Sequence, residues 1–241
     1  MSQLLERCSI LKEMLEHRSA RTQSGELIPV HSNILPAYAE ALFETVLQAT
    51  PKVALEIGMA FGASTLAILS ALHDGNQGGR LISIDPVQSS DWNGCGRTAV
   101  DRAGLAERHE LIETCDYVAL PRLLESGLRV DFAYIDGWHT FDYTLLDWWY
   151  IDKMLAEGGI VGFNDCGFPA VDKAIRFVLA HRKYIEIDVG LPITLEGYGR
   201  KRELFRRLTF GRKEHWYRRG EDRYFKKVEN WEPRWNFFAP F

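Results

Sequence analysis

This 241-residue chain is short of several features that would place it in a familiar class at once. It has no apolar run of about 18 residues or more, which excludes a helix that spans a bilayer and makes a membrane partner unexpected. Its first residues carry acids at Glu6, Glu13 and Glu16 and no signal-peptide apolar block. Only four cysteines occur (Cys8, Cys95, Cys115 and Cys166), with no CxxC pair, which argues against a disulfide framework or a zinc site and fits the reducing cytoplasm. No GK[ST] follows a glycine-rich loop, so the phosphate cradle of nucleoside-triphosphate enzymes is missing. Internal repeats and low-complexity stretches are also missing.

What is present suits one α/β unit. The chain is 46% hydrophobic, enough to build a core and to exclude bulk disorder. The net charge of −4 hides an asymmetry: residues 200–241 carry 13 Lys and Arg against 6 Asp and Glu, on an otherwise acidic body. A basic, aromatic-rich tail is a possible nucleic-acid feature. Here, though, the bases alternate with Glu203, Glu214, Glu221, Asp222, Glu229 and Glu232. That pattern reads as a solvated face, and nucleic acid is not the expected partner.

Residues 1–50 read as an N-terminal helical cap, with one amphipathic helix over 4–16, a polar connector over 17–30, and a helix from Ser32 or Asn33 to Gln48. From 51 to 241 strands and helices alternate, interrupted by an insertion over 190–220. Strands are predicted at 53–57, 81–85, 110–113, 131–136, 160–164, 184–189 and 223–228. Helices are predicted at 63–73, 97–103, 118–126, 141–155 and 169–182. Apolar strands separated by helices indicate a Rossmann-like, doubly wound, mostly parallel seven-stranded sheet.

Ligands of such sheets sit beyond the carboxyl ends of the strands. The first strand there ends in Glu56-Ile57-Gly58-Met59-Ala60-Phe61-Gly62. Gly58 permits a tight turn, Gly62 permits close approach of backbone to a ligand, and the helix that follows offers free N–H groups. Its glycines are four apart with Ala60 between them, which disfavours the GxGxxG of a dinucleotide site. Asp85 ends the second strand, where a carboxylate can accept both hydroxyls of a ribose. A nucleoside fits this set better than a dinucleotide does.

These residues resemble the first motif of class I S-adenosylmethionine-dependent methyltransferases, and Asp85 matches the acid at the end of that family's second strand. Residues 131–136 followed by Gly137-Trp138-His139 look like the fourth-strand motif of small-molecule O-methyltransferases. The similar members are of the catechol and caffeoyl-CoA type or the macrolide-sugar and cephalosporin-tailoring type. The resemblance implies that S-adenosylmethionine contacts Glu56, Gly58, Met59, Ala60, Gly62, Ser64 and Asp136. It also implies that Asp85 holds the ribose and that Cys115 and Asp116 lie by the adenine.

A hydroxyl acceptor needs a base or a metal to lose its proton. Asp136 and Asp165 end neighbouring strands, so both point into one crevice. The resemblance implies that such a pair binds Mg²⁺. Cys166 stands where the catechol type has an amide ligand, and Asn164 is the substitute candidate. A metal-free pair stays equally open. His139, three residues past Asp136, is the candidate base. His31 is a weaker site candidate. Trp148 and Trp149 read as core, and Trp138 as a pocket wall. Trp231, Trp235, Phe237 and Phe238 read as a lid, a core staple or a homodimer contact. The expected activity is O-methylation of a small molecule, either a sugar or glycosylated natural product or a catechol-like phenol. The alternatives are an aminopropyl transferase of the same fold and a non-catalytic module that binds the nucleoside.

Overall fold

The computed structural model describes residues 3–32, 34–75, 78–191, 194–195, 218–219 and 222–241. The expected helix over 4–16 forms as α1 (Gln3–Arg7) and α2 (Ser9–His17), interrupted at Cys8. The polar connector over 17–30 contains a hairpin. Its strands β1 (Ser19–Arg21) and β2 (Leu27–Pro29) pair antiparallel, and Gly25 at φ 91° makes the turn. Three-residue strands this polar leave no alternation to read in the sequence. α3 (Pro36–Ala49) begins later than expected. Leu35 is its N-cap and Pro36 its first residue, and no side chain caps it, so Ser32 does not serve as the cap. Asn33, the other candidate, lies outside the described residues, as does most of the expected 190–220 insertion.

The sheet then builds as the alternation predicts. In chain order come β3 (Val53–Ile57), α4 (Ala63–Asp74), β4 (Arg80–Ile84), α5 (Cys95–Arg102), β5 (His109–Ile112), α6 (Asp116–Glu125), β6 (Val130–Ile135) and α7 (Phe141–Met154). β7 (Leu155–Phe163), α8 (Pro169–His181) and β8 (Tyr184–Ile187) follow. A short pair, β9 (Thr194–Leu195) with β10 (Arg218–Arg219), precedes β11 (Arg223–Lys227). The main sheet has seven strands in the order β5-β4-β3-β6-β7-β11-β8. β3 to β7 pair parallel, and β11 runs antiparallel between β7 and β8. Strand order therefore reverses between β3 and β6, and a crevice opens beyond their carboxyl ends.

Each face of the sheet carries a core. One holds Ile57, Ile84, Ile135, Trp148 and Phe163 between sheet and helices. The other joins Ala54, Leu66, Leu81 and Phe132 to Leu4, Leu11, Met14, Leu42 and Phe43, so the N-terminal helices share a core with the sheet. No described helix is long and apolar enough to cross a membrane.

Candidate active site

The turn leaving β3 is shaped by its neighbours. Gly58 adopts φ 86°, and a Cβ on it would lie 2.0 Å from the carbonyl oxygen of Asp136. Gly58 N–H donates to Ile84 and Asp136 N–H to Ile57, so the ends of β3, β4 and β6 are laced together here. Gly62, at φ 88°, sits so near Gly96 that a Cβ would be 3.0 Å from its Cα. No side chain caps the N-terminus of α4, which leaves this helix end facing the turn as a place for an anionic group.

Beneath the turn the structure departs from the expectation. Glu56 is fully buried and accepts hydrogen bonds from Ser64 Oγ (2.6 Å), Thr65 Oγ1 (2.7 Å) and Ser83 Oγ (2.7 Å). Burial pushes its carboxyl up to about 7, against the pull of these three hydroxyls. Glu56 and Ser64 therefore pin β3 to α4 and β4 and do not line the crevice. Met59 is likewise buried. Their apolar or half-apolar settings on the strand and turn gave no sign of which way each side chain would point.

Asp85 is also engaged. Its Oδ2 accepts from Met59 N–H (3.1 Å), Ala60 N–H (2.8 Å) and Gln88 Nε2 (3.2 Å), and its Oδ1 from Val87 N–H (3.0 Å). The carboxylate braces the turn, which holds Ala60 at the unusual φ of 46°. Cys115 is the N-cap of α6, and Asp116 is its first residue, with 9% of its surface exposed.

Across the crevice, the ends of β6 and β7 bring together Asp136, His139 and Asp165. One ligand atom from each lies within 4.8 Å of the others. His139 Nε2 is 3.0 Å from Asp165 Oδ2 and 3.9 Å from Asp136 Oδ1. Burial holds the imidazole below its ordinary value, against the Asp165 charge, so it is neutral near pH 7. Burial, then repulsion from Asp222, Asp165 and Glu56, holds Asp136 well above the usual carboxylate range. Phe168 packs on His139 with ring centroids 5.7 Å apart.

The third member of this cluster is His139. Asn164, the expected third ligand, donates its Nδ2 to Asp222 Oδ1 (2.9 Å). Asp222 also accepts from Tyr134 and Tyr224 hydroxyls at 2.9 Å each and is 4% exposed. The sequence pattern places it in a solvated, alternating stretch. Its burial follows from the antiparallel β11, which inserts the end of the chain beside β7, a pairing that no local signal announces.

Other candidates fall to either side. Trp148 is buried as expected, but Trp149 is 41% exposed and Trp138 69% exposed. His31 packs on Phe61 and Trp92, above the turn after β3. Phe237 and Phe241 pack on His181, so this part of the tail is a staple on α8, whereas Trp235 stands 97% exposed.

Residues 55–166 match the family described as a methyltransferase domain, from the middle of β3 to just past β7. No curated protein matches the sequence. Among solved structures, the chain shares a fold with an O-methyltransferase from Bacillus cereus in complex with SAH. That pair has 19% identity, covers 91% of each chain and has a TM-score of 0.63. The O-methyltransferase TomG from Streptomyces achromogenes, involved in tomaymycin synthesis and in complex with SAM, is 15% identical. The likeness covers 94% of this chain and 89% of that one, with a TM-score of 0.62. The SAH-bound methyltransferase PaMTH1 of Podospora anserina is 18% identical over 76% of this chain and 81% of its own, with a TM-score of 0.56. The methyltransferase match stops at Cys166, so Asp222, which holds Asn164, comes from outside it.

Proposed function

We propose that this chain is an S-adenosylmethionine-dependent O-methyltransferase acting on a hydroxyl of a small molecule. The observation that carries the reading is His139 Nε2 3.0 Å from Asp165 Oδ2, across the crevice from the glycine turn after β3. When bound, S-adenosylmethionine supplies a methyl group already activated on a sulfonium. The residues present suit it: an uncapped helix end for a carboxylate, a turn that admits no Cβ at Gly58, and acids at Asp85 and Asp116 for ribose and base. We propose that Gly58, Ala60 and Gly62 form the floor of that site with Cys115 beside the base. Asp85 exchanges its 3.2 Å bond from Gln88 for one from the ribose diol.

His139 removes the acceptor proton, and Asp165 steadies the imidazolium that results. Phe168 and the exposed Trp138 flank the acceptor side, apolar surfaces suited to a ring. A sugar or glycosylated natural product is the first acceptor class and a catechol-like phenol the second. A second reading rests on the three ligand atoms within 4.8 Å. Asp136, Asp165 and His139 would hold a divalent ion such as Mg²⁺, which supplies Lewis-acid binding of the acceptor oxygen. Two carboxylates suit a hard cation, and the imidazole broadens the choice toward first-row metals.

Titration calorimetry with S-adenosylhomocysteine, with NAD as the control, tests the cofactor. Methyl transfer to a panel of sugars and phenols, with and without a chelator, tests the acceptor and the metal. Binding of NAD with no binding of S-adenosylhomocysteine would sink the reading. Activity that survives chelation would assign the proton to His139 alone.

A further inference from the structure

The proposed mechanism makes no use of Asp147, yet its setting is costly for a carboxylate. It lies on α7 with 0% of its surface exposed. Among the described residues, neither of its oxygens meets an N–H or O–H donor. Its Oδ2 points at the loop after β6, where a Cβ on Gly137 would come within 3.5 Å of it. The polar group against it is another acid, Asp116, at the start of α6, which packs along α7. Two ionised carboxylates in contact away from water would repel strongly. Such a pair persists when one proton lies between them, with one acid as donor and the other as acceptor.

We infer that Asp147 is a positioning residue that donates its carboxyl proton to Asp116 and keeps Asp116 a fixed acceptor for the exocyclic amino group of an adenine base. This rests on the nucleoside reading given above. Asp116 is the acceptor of the pair: it opens a helix, where the N-terminal dipole favours an acceptor, and its Oδ1 accepts the Tyr117 N–H at 2.6 Å. Asp147 sits mid-helix with no such support. Its burial, then the Asp116 charge, push it up to about 9, so it holds its proton at neutral pH. The arrangement has a consequence for specificity. An acceptor locked as an acceptor welcomes the amino group of adenine and rejects the carbonyl of a 6-oxo base.

The test compares the whole chain as wild type, Asp147→Asn and Asp147→Leu. Each is titrated with S-adenosylhomocysteine and with its 6-oxo analogue, S-inosylhomocysteine. Asn keeps a donor in the same place and should bind S-adenosylhomocysteine within about twofold of wild type, whereas Leu should weaken it about tenfold, the worth of one hydrogen bond to a charged group. The weak binding of the 6-oxo analogue should not change. The inference is overturned if Asn loses as much as Leu, if Leu loses nothing, or if Leu weakens both ligands alike. Should the Leu variant fail to fold, infrared difference spectra decide. Wild type minus Asp147→Asn at pH 7.5 should show the C=O stretch of a protonated carboxylic acid, and its absence overturns the inference. If wild type binds no S-adenosylhomocysteine while that band is present, the nucleoside reading has failed and the proton-sharing pair stands.

Discussion

At Gly58 a single methyl group has nowhere to go. Ala there would put its Cβ 2.0 Å from the Asp136 carbonyl oxygen and hold φ near 86°, a region costly to any other residue. Gly58→Ala should therefore cost more than about 2 kcal/mol, lowering the melting temperature by roughly 5 °C or more in a chain of this size. Differential scanning calorimetry checks it, and an unchanged melting temperature would mean that the lacing of β3 to β6 is looser than described. His139 makes the opposite kind of claim. It is half-buried at the crevice mouth, outside the main core, so His139→Ala should leave the fold and S-adenosylhomocysteine affinity nearly intact while lowering turnover about 10²- to 10⁴-fold. A parallel loss of affinity would place His139 in cofactor binding instead. Both positions were legible in the sequence because they follow from chain order, one at the end of β3 and the other just past β6. Glu56 was legible as an acid at a strand end but not in its buried, strand-pinning setting, and the bonds by which Asp85 braces the turn were not legible either. Hydrogen bonds to Ser64, Thr65, Ser83, Met59 and Ala60 decide which way they face, and those partners are set by packing.

Three neighbouring strands share one buried hydrogen-bonded line. Ser83 on β4 donates to Glu56 on β3 and lies 3.0 Å from His109 Nε2 on β5. Burial pushes Glu56 up to about 7 and His109 down to about 4, so both groups are neutral inside the fold near pH 5.5. Their effects on stability have opposite signs. Glu56 holds its proton in the fold while the unfolded chain releases it, so stability falls as pH rises from about 4.5 to about 7, by up to about 3 kcal/mol. His109 stays neutral in the fold while the unfolded chain takes a proton, so stability falls as pH drops from about 6.5 to about 4, by a similar amount. Between about 4.5 and 6.5 the two slopes oppose each other and wild type should be nearly flat. Glu56→Gln removes one slope and should lose stability on acidification more steeply than wild type. His109→Asn should instead gain stability as pH falls from 7 to 5. Urea unfolding at half-unit pH steps reads both, and parallel profiles for all three proteins would refute the account. The strands themselves were legible from their apolar runs. The line across them was not, because it depends on strand order and register, which put Glu56 beside Ser83.

The order of the whole sheet shows where sequence reading succeeds and where it stops. Local periodicity predicted all seven strands, and the parallel pairing of β3 to β7 follows from the helices between them. The antiparallel insertion of β11 between β7 and β8 pairs residues far apart in the chain, and with it came Asp222 under Tyr134 and Asn164. The same limit applies at the other end. Residues 1–50 read as a cap, a word that suggests something removable, yet Leu4, Leu11 and Met14 are almost wholly buried against the core that holds Leu66 and Phe132. Each such side chain contributes about 1.5–3 kcal/mol by leaving water, and the α4 surface they cover would be exposed as well. Their sum is comparable to the whole stability of a typical domain, about 5–15 kcal/mol. Deleting residues 1–35 should therefore abolish cooperative folding. Circular dichroism during thermal melting, with light scattering to detect aggregation, checks this. A deletion that melts in one sharp transition and still binds S-adenosylhomocysteine would show that α1 and α2 are dispensable to the core.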